Sequence, residues 1–176
     1  TAQLAALATD DLNALRSAQF AALTTSQVAS LSTTQIAALM SDDLRALGSA
    51  QYAALGTAQI AALGTGQIGL IETSDLRALG SDALRTLSAA QFEALTTGQV
   101  AALGSWQIAA LGTDQVAALG TDDIRAMVTA QVAALSSAQV GVLAPSQIAA
   151  LETADLRALS TSALQGLSTE QLGALS

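Results

Sequence analysis

The chain has no cysteine, no histidine and no lysine, one proline, and two Phe, one Tyr and one Trp in 176 residues. Without cysteine there are no disulfides and no thiolate chemistry, which leaves the compartment open because large secreted bacterial repeat proteins commonly lack it too. Without histidine, cysteine or lysine, each Ser or Thr is a hydroxyl with no base to activate it, so no catalytic residue and no cofactor site is expected. Six Arg stand against 14 acidic residues, a net charge of −8, and no cationic stripe exists to displace counterions from a nucleic-acid backbone. Nucleic acid and anionic membrane are not expected partners. No run of about 18 apolar residues is present, so no transmembrane segment is expected. The chain starts at Thr1 with neither an initiating Met nor a basic-then-apolar leader, and reads as a processed product or a segment of something longer. Scarce aromatics in a half-apolar composition point to thin aliphatic layers rather than one thick globular interior.

What is there is a repeat. Twenty-two octapeptides run from Thr1 to Ser176 without insertion or deletion, which marks a repeat architecture before any local reading. The pattern is Thr/Ser, x, Gln/Asp, aliphatic, Ala or Arg, Ala, Leu, then a variable eighth residue. Position 1 departs from Thr/Ser only at Ala89 and Pro145, position 4 is always apolar, and position 7 is Leu except at Ile71 and Met127. Positions 4 and 7 are the candidate core.

Three conformations compete for the octad. In one continuous helix eight residues advance about 800°, so the apolar pair rotates by about 80° per repeat and no stripe persists; nor is eight close to a coiled-coil period. A β-solenoid wants same-face residues two apart, whereas positions 4 and 7 differ by three, and Ala, Leu and Gln are helix formers. Short β-arches stay the weaker alternative. One short helix per octad fits best, giving an all-α solenoid of 22 helices over residues 1–176 as a single array.

The helix boundary is read from three signals. Thr/Ser at position 1 is taken as the N-cap, although the capping box sets its Glu/Gln three residues after the cap and here the polar residue comes two later. Position 8 gives the right spacing, but its occupants are mixed; position 1 is kept and the role of the position-3 Gln/Asp left open. Pro145 bars the helical region to Ala144, and seven glycines at position 8, Gly48 and Gly120 among them, place a break at the same seam. Val128, Glu72 and Met40 at position 8 mean that the break does not demand a left-handed residue. The result is stubby helices of about six residues, with Ala at position 6 letting neighbouring turns approach.

A longer rhythm overlies the octads. Asp at position 3 is usually followed by Arg at position 5: Asp43/Arg45, Asp75/Arg77, Asp123/Arg125 and Asp155/Arg157, with Asp11/Asn13 as a variant. Asp43 recurs ten octads later as Asp123 and Asp75 as Asp155, and the same step joins Glu72 to Glu152 and Ala83 to Ala163. Ten octads thus form a higher-order unit. The rhythm records either an old duplication or charged octads that pair Asp with Arg across coils or subunits; positions 3 and 5 do not face each other on one helix. The acidic pairs Asp10/Asp11, Asp42/Asp43 and Asp122/Asp123 lack a calcium-loop pattern, so no metal site is expected and they read as solvated charges at helix starts. Tyr52, Phe20 and Phe92 read as core fillers. Residues 68–71 and 140–143 break the Ala rule at position 6 and read as contact patches or local repacking. The first and last octads resemble the rest, without the polar caps that stop repeat arrays from stacking.

Segments such as Thr57-Ala58-Gln59-Ile60-Ala61-Ala62-Leu63 and Thr73-Ser74-Asp75-Leu76-Arg77-Ala78-Leu79 resemble the TTxQIAAL octapeptide arrays of large repetitive proteobacterial proteins, which are secreted or surface-associated. The resemblance covers the whole chain, implies an extracellular or cell-surface location with a structural or adhesive role, and transfers no functional residue. The leading expectation is a structural protein that stacks with copies of itself into a filament, fibre or surface spacer. The alternative is a non-enzymatic scaffold that binds a protein or glycan along its outer rows. A flat Thr-rich ice-binding face is disfavoured by the capping use of the hydroxyls.

Overall fold

The computed structural model describes residues 2–175. It is all-α: each octad forms one helix of four to six residues, from Ala2–Ala5 to Thr169–Gly173, with no strand among the described residues. No helix is long and apolar enough to cross a membrane. Helices this short have no stability of their own in water, so their neighbours must hold them. Most pack against the helix three octads away, as Ser49–Ala53 does on Thr73–Ala78 and Thr97–Ala102 on Thr121–Ala126. The fold is a solenoid.

Positions 4 and 7 make the core, as expected. From Leu12 to Ile148 every position-4 side chain is 0–1 % exposed, and Phe20, Tyr52 and Phe92 fill it among the aliphatics. Position 6 is mostly half-buried.

The helix starts differ from the expectation. Position 8, not position 1, is the N-cap: Thr24, Ser32, Ser88, Thr96, Ser136, Ser160 and Ser168 each accept a hydrogen bond from the N–H three residues on. Position 1 is the first helical residue, where proline is favoured and Pro145 sits. Position 8 tolerates mixed occupants because half of the cap is independent of its side chain. The Gln two residues into the helix turns its Oε1 back onto the N-cap N–H, as in Gly56 N–H to Gln59 (2.7 Å) and Val128 N–H to Gln131 (2.8 Å). The cap need only be extended, and even Val128 is, at φ −79° and ψ 152°; no residue among those described has positive φ.

The packing divides into two compact units, Thr1–Leu87 and Ser88–Ser176. The division falls just before Ser88, the N-cap of the helix Ala89–Glu93.

Candidate functional site

The polar chemistry of this fold is concentrated at position 3. Glutamine carries both an acceptor and a two-hydrogen donor, and here both ends are engaged. Beyond its bond to the N-cap N–H, the Nε2 of Gln51 donates to the carbonyls of Phe20 (2.9 Å) and Leu23 (2.8 Å), residues at positions 4 and 7 four octads earlier. In the first unit Gln59 reaches Val28 and Leu31 (3.1 and 2.7 Å) in the same way, and Gln35 reaches Leu4 and Leu7. In the second, Gln131 reaches Val100 and Leu103 (both 2.8 Å), Gln139 reaches Ile108 and Leu111 (both 2.9 Å), and Gln171 reaches Val140 and Leu143. Helix starts have orphan donors and helix ends have orphan acceptors. One buried amide joins the start of a helix to the end of another 28–31 residues back, which also sets the solenoid turn at between three and four octads. The signal was visible as the recurrence of Gln at position 3, but its partner lies too far along the chain for local reasoning to find.

Aspartate in that place has no donor to offer. Asp43 accepts the Met40 N–H at 3.2 Å and Asp123 the Gly120 N–H at 2.9 Å, so both keep the capping half of the role. Asp43 is 4 % exposed and is not the solvated charge that the sequence suggested, whereas its neighbour Asp42 is exposed. Burial pushes its carboxyl above the usual range, the Met40 hydrogen bond opposes that, and Asp42 adds to it. Asp75, also buried, accepts from Ser49 Oγ at 2.5 Å and from Ser74 Oγ at 3.4 Å. The carbonyl of Leu44, where a glutamine at position 75 would donate, receives the Tyr52 hydroxyl instead at 2.9 Å. Burial holds that phenol far above its usual pKa, helped by the charges of Asp75 and Glu72, so it stays a donor. Asp155 is buried. In the variant octad, Asn13 Nδ2 donates to the Ala38 carbonyl at 3.0 Å while its Oδ1 is buried without a partner.

The aspartates therefore turn inward while Arg45, Arg77, Arg125 and Arg157 are exposed. Arg125 pairs with Asp122 of its own helix at 2.7 Å, a solvent-exposed contact worth little. No group of three acidic residues gathers as a metal site among the described residues. The outer surface carries isolated apolar side chains, Met40, Trp106 and Val128, each more than half exposed. In the first unit an open groove of about 720 Å³ runs past Ala37, Met40, Gly64, Gly66, Gln67 and Leu70. Leu70 replaces the usual Ala at position 6, and Gly66 leaves open space where a Cβ would stand.

A family model of the ALTTAQ repeat matches residues 4–41, 36–70, 68–105, 99–121, 116–153 and 148–176. The first three matches start at Leu4, Ile36 and Ile68, four octads apart, the same step by which each glutamine reaches back. No curated protein matches the chain. With the match running almost from end to end, the chain belongs to the ALTTAQ repeat family.

Proposed function

We propose that this protein is a structural element: a repeat array that stacks with copies of itself into a filament, fibre or surface spacer outside the cell or at its surface. The observation that carries the reading is where the polar side chains go. Buried Gln at position 3 is spent on joining coil to coil, and the outer rows are mostly Ala, Thr and Ser, a surface suited to self-packing rather than to chemistry. A chain without His, Cys or Lys supports a non-catalytic role. The extracellular setting rests on the resemblance to secreted octapeptide arrays.

The test is electron microscopy of the purified chain across a concentration series. Regular assemblies that lengthen with concentration are the expected result; discrete monomers at every concentration would sink the reading. A second reading, a non-enzymatic scaffold for a protein or glycan, is favoured by the groove beside Met40 and Leu70. Substituting Met40→Glu and Leu70→Glu separates the two: assembly survives if the groove serves a ligand.

A further inference from the structure

Residues 72–79 recur as residues 152–159, with Ala154 in place of Ser74 the only change, yet the two aspartates meet different surroundings. In the first unit Asp75 accepts from Ser49 Oγ (2.5 Å) and Ser74 Oγ (3.4 Å), and the Tyr52 hydroxyl covers the Leu44 carbonyl at 2.9 Å. The charges of Asp75 and Glu72 both help to keep that phenol protonated, so both carboxylates lie close to the spot that the hydroxyl fills. In the second unit the helix Thr129–Val132 packs on Thr153–Ala158 as Ser49–Ala53 does on Thr73–Ala78, but Thr129 stands for Ser49, Ala154 for Ser74 and Val132 for Tyr52. Asp155 is 5 % exposed, and among the described residues nothing donates to its carboxylate. It does not cap its own helix as Asp43 and Asp123 do. The carbonyls of Ile124 and Met127, where a glutamine at position 155 would donate, receive no side-chain donor.

What this leaves is oxygen. A buried carboxylate and a second one from Glu152 stand by two carbonyls at the end of the helix Thr121–Ala126, the negative end of its dipole. A buried charge without a donor calls for a counter-charge, and ligands that are all oxygen select a hard cation. We propose that this niche binds a calcium ion, held by Asp155 and Glu152 with the carbonyls of Ile124 and Met127, and with water completing the shell. Calcium accepts such an irregular mixture of carboxylate and carbonyl oxygens, whereas magnesium demands near-ideal octahedral geometry. The ion does for this octad what the glutamine amide does for others: it joins the start of one helix to the carbonyls four octads back. The inference does not depend on the self-assembly reading above.

The test is isothermal titration calorimetry of the full chain with calcium chloride at fixed ionic strength, alongside denaturation followed by circular dichroism. One saturable site with a Kd of about 0.1–1 mM, the range of extracellular calcium modules, is expected, and calcium raises the denaturation midpoint because it binds the folded chain. Glu152→Gln changes an exposed side chain and leaves the fold intact; losing one charged ligand is expected to weaken binding about tenfold. Asp155→Gln puts the ladder amide into the niche and is expected to abolish the calcium response while the helical signal stays. Asp75→Gln in the first unit, where hydroxyls already serve the carboxylate, should bind calcium as the wild type does. No saturable binding by the wild type, or binding that survives both Glu152→Gln and Asp155→Gln, overturns the site. So does equal stabilisation by sodium chloride in place of calcium, which is charge screening alone.

Discussion

Thr86 and Gly166 stand ten octads apart, each at position 6 of an octad with Ala at position 3, one in each unit, and they meet the neighbouring coil differently. The Thr86 hydroxyl donates to the carbonyls of Ala83 (2.6 Å) and Thr57 (3.3 Å). Gly166 has no side chain, and a Cβ there would lie 2.6 Å from Ser137 Oγ, 2.7 Å from the Ser137 carbonyl and 3.2 Å from that of Ala163. Ser137 is the counterpart of Thr57 ten octads on. The same contrast recurs one octad earlier. Asp75 is accommodated by hydroxyls, Ser49 onto its carboxylate and Tyr52 onto the Leu44 carbonyl, whereas the counterpart of Tyr52 is Val132, with no hydroxyl for Ile124. Both units share the ladder and its gaps. At Asp75 and Ala83 the first unit bridges the gap with hydroxyls; at Gly166 the second closes it by close approach.

The largest effect should be the one that does not distinguish the units. Gln59→Ala and Gln139→Ala each remove a cap acceptor and two buried donor bonds, about 3 kcal/mol at roughly 1 kcal/mol per bond. Chemical denaturation followed by circular dichroism, with hydrogen exchange to localise the loss, is expected to show similar costs in both. A loss in one unit only would break the premise that the ladder is common to them.

Next in size is Gly166→Ala, which drives a methyl onto backbone and is expected to cost about 2 kcal/mol as overpacking. Thr86→Ala loses a partly exposed hydroxyl bridge and should cost about 1 kcal/mol or less. Stability measured on both variants ranks them, and the reverse order would mean that the close approach at Gly166 relaxes without penalty. Tyr52→Phe follows at about 1 kcal/mol, since it keeps the packing and removes only the bond to Leu44. Faster amide exchange confined to the octads around 41–56 is its signature.

The octad, the helical state and the two core rows were legible because they are local: positions 4 and 7 declare themselves within eight residues, and Pro145 fixes the seam. The cap was misplaced by one residue for a physical reason. Its side chain contributes in only some octads, while the constant half comes from the glutamine, so the varied identities at position 8 hid a fixed backbone role. The second task of Gln59, bonding Val28 and Leu31 across 28–31 residues, was not legible, because nothing local says which coil lies behind. Asp43 was misread for the same reason: an acidic residue at a helix start is usually solvated, and only the packing of earlier octads shows that this one is buried.

The smallest expected effect concerns that buried charge and carries a sign. In the folded chain the Asp43 carboxyl titrates above its ordinary 3.8, first through burial, against the Met40 hydrogen bond and with the charge of Asp42. A native state that holds its proton more readily than the unfolded chain loses stability as pH rises through the interval between the two values. At neutral pH the ionised group is therefore a liability, and below 3.8 that liability vanishes. Asp43→Asn keeps an oxygen for the Met40 N–H and removes the charge, so it should be the more stable protein at pH 7, with an advantage that shrinks as the pH is lowered toward 4. Taking the difference between the two proteins at each pH cancels the relief of general acidic repulsion that both share at net charge −8. Denaturation midpoints that differ by the same amount across the range, or a wild type that is the more stable at neutral pH, would show that the bond to Met40 outweighs burial. The aspartate octads would then stabilise the ladder in their own right rather than interrupt it.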